Sequence, residues 1–162
     1  MPDIIFPEKK DIKQNLRTLF ELLSSNMGNI DPTGDPPEED YRIWKDFILS
    51  EIEKPEREIL LLKQNDEIVG YFQYSLRDTV FIMEEIQFHP SIWGSGAFRE
   101  LYRFLAGIIP ENMTTVEAYA NKKNLRSQAI LEHLGLKISG ENKSGRSWHY
   151  TGDCREMLNK YR

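Results

Sequence analysis

The chain has 162 residues, 40% of them hydrophobic, which suits one hydrophobic core and leaves little room for a second independent domain. Its 21 Lys and Arg against 26 Asp and Glu give a formal charge of -5, the wrong sign for a protein whose task is to coat a nucleic acid backbone. A single cysteine, Cys154, rules out an intrachain disulfide and a Cys-based zinc cluster, and His89, His133 and His149 form no His-Glu-x-x-His arrangement.

Met1-Pro2-Asp3-Ile4-Ile5-Phe6 has no basic stretch leading into a long apolar run, and nothing later approaches the roughly 18 apolar residues of a membrane span. A soluble, cytoplasmic protein with no membrane or nucleic acid partner is expected, one domain over residues 1–162. Ile12, Leu16, Leu19, Phe20, Leu23 and Met27 recur at helical spacing and predict an amphipathic helix from about Glu8 to Met27. It should stop before Gly28-Asn29, since both residues tolerate the left-handed conformation that ends helices. Asp31-Pro32-Thr33-Gly34-Asp35-Pro36-Pro37 reads as a loop. The next helix, about Pro37 to Ile52, has proline in its first turn, Glu38, Glu39 and Asp40 at the positive end of its dipole, and Tyr41, Trp44, Phe47 or Ile48 and Ile52 on one face.

From Glu58 the period becomes that of strands. Ile59-Leu60-Leu61-Leu62 and Ile68 through Tyr74 read as a hairpin around Gln64-Asn65-Asp66-Glu67. Val80 through Phe88 is a third strand, whose alternation sends Glu85 and Gln87 to one face and Glu84, Ile86 and Phe88 to the other. Beyond Pro90 and Gly94-Ser95-Gly96, the stripe Phe98, Leu101, Tyr102, Leu105, Ile109 marks a helix ending near Pro110. Val116 through Ala120 is the next strand, and Ser127, Ile130, Leu131 and Leu134 line a helix closed by Gly135. Leu136-Lys137-Ile138 and Ser147-Trp148-His149-Tyr150, joined around Asn142-Lys143-Ser144-Gly145, close the chain as a hairpin. This order predicts an α/β fold with a mixed, mostly antiparallel sheet and helices on both faces.

A strand ending at Phe88, a short glycine turn and a helix read either as a tight turn that starts the helix or as an anion site: the first N–H groups of a helix lack internal acceptors, glycine removes the Cβ that would bar a diphosphate, and the helix dipole favours negative charge. The cradle is backbone from about Trp93 through Gly94, Ser95, Gly96 and Ala97 to Phe98. The spacing of a Walker loop is absent, and Gly94-Ser95-Gly96-Ala97-Phe98-Arg99 lacks the third glycine of a dinucleotide fingerprint.

The stretch Glu84-Glu85-Ile86-Gln87-Phe88-His89-Pro90-Ser91-Ile92-Trp93-Gly94-Ser95-Gly96-Ala97-Phe98-Arg99-Glu100-Leu101 resembles the acetyl-coenzyme A signature of GCN5-related N-acetyltransferases. Asn121 through Leu136 is similar to the family's second element, an Asn, a helix and a Leu-Gly-Phe ending. The chain departs from the family pattern at Trp93, where Arg or Gln is usual, at Phe98, where Gly or Ala is usual, and at Leu136, which replaces Phe. The resemblance implies acetyl-coenzyme A as cosubstrate and a splay between the two central parallel strands, where the backbone of Ile86, Gln87 and Phe88 meets pantetheine amides. It implies Asn121 or Asn124 on the cofactor arm, although each also reads as a cap of the following helix.

The implied activity is acetyl transfer to a primary amine of a small molecule or protein, which requires a neutral nucleophile, a stabilised oxyanion and a proton for the departing thiolate. Glu85 is the favoured base, with Glu84 the alternative one residue away, and His89 reads as part of the turn. Many relatives place a proton-donating tyrosine seven residues beyond the second Asn; here that position is Leu131, which leaves Tyr150, Tyr119 or water. Tyr41, Trp44 and Trp148 read equally as acceptor walls and as core aromatics. A homodimer is compatible with the sequence. The competing expectation, motivated by Trp93, Phe98 and Leu131, is a related fold that has lost transfer and serves as a coenzyme A-sensing or protein-interaction module.

Overall fold

The computed structural model describes residues 1–28 and 30–162. The first expected helix forms as two, α1 (Lys9–Gln14) and α2 (Leu16–Met27). They meet at Asn15, whose backbone leaves the helical region (φ -120°, ψ 19°). Its side-chain amide donates to the Asp11 carbonyl at 2.7 Å, the local bond by which asparagine competes with a helical ladder. α2 ends at Gly28 in the right-handed conformation (φ -59°, ψ -28°) rather than the left-handed one expected, with the Gly28 amide still reaching the Ser24 carbonyl; Asn29 lies outside the described residues. α3 (Pro37–Glu51) follows with proline and three acids in its first turn, as its sequence predicts.

The strands are β1 (Asp3–Ile5), β2 (Arg57–Gln64), β3 (Glu67–Arg77), β4 (Val80–Phe88), β5 (Thr115–Asn121), β6 (Lys137–Glu141) and β7 (Ser147–Asp153). The remaining helices are α4 (Ala97–Ile108), α5 (Leu125–His133) and α6 (Cys154–Asn159). β1, α6 and a 3-10 turn at Pro90–Ile92 carry no sequence pattern long enough to announce them. Hydrogen-bonded neighbours in the seven-stranded sheet run in the order β1-β2-β3-β4-β5-β7-β6. β4 and β5 are parallel, while β1-β2, β5-β7 and β6-β7 are antiparallel. This is the mixed, mostly antiparallel α/β architecture the element order predicts.

The chain divides into two compact units, residues 1–73 with 85–97, and residues 74–84 with 98–162. In the first, β1 pairs with β2, Ile4 opposite Leu62. Ile12, Leu16 and Leu19 of the expected stripe bury with Leu22, which takes the inward place instead of the half-buried Leu23, and with Ile48 and Ile52, Ile59 and Leu61 of β2, and Tyr71 of β3. Asn65 and Asp66 both take positive φ (53° and 64°) between β2 and β3, as a tight two-residue hairpin turn demands. Gly70 sits in mid-strand because a Cβ there would meet the Gln87 carbonyl and the Phe88 ring, each at 3.0 Å.

In the second unit, β5 pairs along its whole length with β7, from Thr115 opposite Asp153 to Asn121 opposite Ser147. In the parallel ladder of β4 and β5, Val80–Met83 pairs with Thr115–Ala118. Leu101, Tyr102 and Leu105 of α4 are buried, together with Val116, Ala118, Tyr150 and Met157. The Tyr102 hydroxyl reaches the Met83 sulfur at 3.1 Å.

Candidate functional site

The end of β4 and the turn after it lie in the first unit. Gln87, 6% exposed, donates its side-chain amide to Glu85 Oε1 at 2.6 Å, so the two share a side of the strand as alternation requires. Asn26, in the last turn of α2, donates to Gln87 Oε1 at 2.9 Å and to the Phe88 carbonyl at 3.0 Å. The His89 amide bonds to the Val69 carbonyl, and antiparallel register then sets Tyr71 across from Gln87. The buried Tyr71 hydroxyl has no hydrogen-bond partner among the described residues. Burial, then the nearby Glu85 charge, hold its pKa well above the usual tyrosine range, so it stays protonated. Sequence reasoning missed Asn26 and Tyr71: the first reads as one more polar residue on a helix flank, the second as a core aromatic in an apolar strand.

His89 takes the structural role. Its ring nitrogen pairs with the Ser91 hydroxyl at 2.7 Å and accepts from the Ser91 amide at 3.1 Å, capping the 3-10 turn. The Trp93 indole N–H folds back to the Phe88 carbonyl at 3.1 Å, which therefore accepts two side-chain donors. Of the expected pantetheine contacts, the Phe88 carbonyl is thus already engaged. The Trp93 and Ser95 amides close turns onto the carbonyls of Pro90 and Ile92, and the Ala97 amide takes the Ser95 hydroxyl at 3.3 Å. Gly94 (φ 73°) and Gly96 (φ 89°) hold the left-handed backbone that glycine favours. Gly94, Ser95 and Gly96 are all exposed. A Cβ on Gly94 would meet nothing within 4 Å, and one on Gly96 only the flexible end of Met1.

The other expected residues belong to the second unit. Glu84 is half-buried. The Phe98 ring leans on Tyr102 within α4. Asn124 caps α5 by accepting from the Ser127 amide at 3.1 Å, and Asn121 accepts from the Lys123 amide at 2.9 Å, so both side-chain oxygens serve local turns. Leu131 is buried. Tyr150, fully buried, has a hydroxyl with no hydrogen-bond partner among the described residues; burial, then the Glu132 charge, raise its pKa. Tyr119 is 53% exposed and stacks on His149, while Trp148 carries the Lys122 ammonium 4.1 Å over its ring. Back in the first unit, Tyr41 and Trp44 cluster with Phe20, as the core reading expects.

The profile of the acetyltransferase (GNAT) family matches residues 16–136. The chain belongs to that family. Acetyl-coenzyme A is the cosubstrate typical of GNAT proteins. No curated protein sequence matches the chain. Among solved structures it is similar to an acetyltransferase from Thermus thermophilus, at 22% identity and TM-score 0.71, covering 94% of this chain and 97% of that one. It is also similar to PaiA N-acetyltransferase from Thermoplasma acidophilum in complex with coenzyme A (10% identity, TM-score 0.68, 94% and 99% covered). A third is spermidine N-acetyltransferase from Vibrio cholerae in complex with coenzyme A and spermine (13% identity, TM-score 0.66, 98% of each chain). At these identities the likeness is one of fold.

The turn of this GNAT chain fits a diphosphate. Gly94 and Gly96 are exposed and left-handed, neither carries a Cβ, only the flexible end of Met1 lies beside Gly96, and the Trp93 indole is tied to the Phe88 carbonyl. No group of His, Cys, Asp and Glu able to hold a metal ion occurs among the described residues, and no described helix is long and apolar enough to cross a membrane.

Proposed function

We propose that this protein is an N-acetyltransferase that uses acetyl-coenzyme A to acetylate a primary amine of a small molecule or protein, with Glu85 as the base. The observation that carries the reading is the hydrogen bond from Gln87 to Glu85 on the strand that leads, in the same compact unit, into the open turn at Gly94 and Gly96. Acetyl-coenzyme A supplies the activated acetyl group. The amides of Gly94 and Gly96, which have no hydrogen-bond partner among the described residues, hold its diphosphate. Glu85 takes the proton that an ammonium must lose before it can attack, directly or through water. Glu84 is the neighbouring carboxylate against which this role is tested. Tyr150, a phenol and so protonated at neutral pH, is the candidate donor to the departing thiolate in place of Leu131.

A second reading, a GNAT-fold module that binds coenzyme A without transferring, is favoured by Leu131, an apolar side chain buried where many relatives carry a proton donor. Thiol release with a panel of amines, polyamines first, separates the two. The transferase reading expects turnover that falls at least 100-fold in Glu85→Gln while the acetyl-coenzyme A Kd, from calorimetry, stays within about threefold. No binding at millimolar acetyl-coenzyme A sinks both readings. Binding without turnover on any amine leaves the second.

A further inference from the structure

We propose that Asn26 is a positioning residue, which fixes the orientation of Gln87 and, through it, the carboxylate of Glu85. This inference rests on the assignment of Glu85 as the base. It comes from the direction of three consecutive hydrogen bonds in the first unit. The Phe88 carbonyl can only accept, so the amide of Asn26 must turn its NH2 group toward it, at 3.0 Å. The same nitrogen lies 2.9 Å from the Gln87 carboxamide, which must therefore present Oε1 to it. That leaves the NH2 group of Gln87 directed at Glu85 Oε1, at 2.6 Å, and an ionised carboxylate also only accepts. Acceptor-only groups stand at both ends, and the two amides between them have one arrangement in which every link joins a donor to an acceptor.

The alternatives are unfavourable for a stated reason. Flipping Asn26 would bring its oxygen against the Phe88 carbonyl and against Gln87 Oε1. Flipping Gln87 alone would set NH2 against NH2 on one side and oxygen against carboxylate on the other. Gln87 is buried, so water does not easily supply a missing partner. A simple tie between α2 and β4 would be complete with the bond from Asn26 to Phe88. The second bond of Asn26 extends the chain to the carboxylate and gives α2 control over how Glu85 is held. A hydrogen bond at each of two joints restricts the rotamers of Gln87 and Glu85, and misplacement of a reacting group by about 1 Å can cost on the order of 100-fold in rate.

The test uses the intact protein and compares Asn26→Asp with Asn26→Ala. The aspartate variant is isosteric but has no donor, so Gln87 turns its NH2 group to the new carboxylate and its oxygen toward Glu85. The alanine variant removes the lock and leaves Gln87 able to keep donating. We expect kcat to fall on the order of 10- to 100-fold in Asn26→Asp and by less in Asn26→Ala, with KM for acetyl-coenzyme A within about twofold of wild type in both. In a Glu85→Gln background Asn26→Asp should cost nothing further, as expected of groups acting in series. Independently of turnover, the Gln87 side-chain amide protons should show a nuclear Overhauser contact to the Glu85 γ protons in the wild type and lose it in Asn26→Asp, where the NH2 group faces residue 26 instead. An alanine variant as slow as the aspartate variant, an unchanged loss in the Glu85→Gln background, or a Gln87–Glu85 Overhauser contact that persists in Asn26→Asp would each overturn the inference while leaving the base assignment standing. Wild-type kcat in Glu85→Gln would overturn both.

Discussion

The Phe98 ring lies against Tyr102, one turn further along α4, with centroids 4.5 Å apart and planes inclined by 30°. The residue that departs most from the family's glycine turn therefore directs its bulk along its own helix, toward a tyrosine that is 2% exposed. Phe98→Gly would restore the small residue usual at this place and lose the ring contact, about 0.5–1.5 kcal/mol, together with about 1 kcal/mol of helix propensity. We expect Tm to fall by about 3–10 °C at roughly 2–4 °C per kcal/mol. The acetyl-coenzyme A affinity should stay within about threefold of wild type. A tenfold gain in affinity on calorimetry would mean that the ring does obstruct the cofactor.

Gly94 separates backbone need from space. A methyl group there meets nothing, yet φ of 73° is left-handed and costs an L-residue about 1–2 kcal/mol. Gly94→Ala should lower Tm by about 2–8 °C. If the turn holds a diphosphate through its amides, acetyl-coenzyme A should also bind at least about tenfold more weakly, because a relaxed turn no longer aims them. Lower Tm with unchanged affinity would remove the turn from the site.

The sequence makes the long periodic elements readable. α3 begins at Pro37 as its proline and acids indicate, and β4 runs from Val80 to Phe88 as its alternation does. What stayed hidden are breaks and contacts that depend on side-chain hydrogen bonds. The division of the first helix at Asn15 follows from a bond to the Asp11 carbonyl, and nothing in the apolar stripe on either side signals it. The glycine turn was legible because its chemistry is local. Asn26 was not, because its partners Gln87 and Phe88 stand more than 60 positions away in sequence. Tyr71 and Tyr150 share a feature no pattern records, a buried hydroxyl without a protein partner among the described residues.

Cys154 is 1% exposed, and burial pushes its thiol pKa up to about 11. A group whose folded pKa is raised stabilises the fold fully below its unfolded pKa, about 8.5 for cysteine, and loses that contribution as pH rises through the folded value. The urea midpoint should therefore decline between about pH 8.5 and 11, and the first part of the decline should disappear in Cys154→Ala. At pH 8 the native protein should give no reaction with a thiol reagent and the denatured protein one equivalent. Rapid labelling of the native thiol would contradict the buried position.

Tyr150 offers the cleanest separation of fold from function. A buried hydroxyl without a partner costs about 1–3 kcal/mol of desolvation. Tyr150→Phe removes that penalty and keeps the ring, so Tm should hold or rise by about 2–4 °C. If the hydroxyl donates the proton to the departing thiolate, kcat should nevertheless fall, on the order of 10- to 100-fold, with KM for the amine little changed. Any phenol is protonated at neutral pH, which excludes it as a base, and burial raises its pKa further, which makes it a weaker acid and water the stronger competitor as donor. A variant that is more stable and equally fast would show that the hydroxyl takes no part, and would leave water as the proton source beside Leu131. A variant that is both less stable and slower would show instead that the hydroxyl has a structural partner, most simply a bound water, and that its effect on rate follows from the fold.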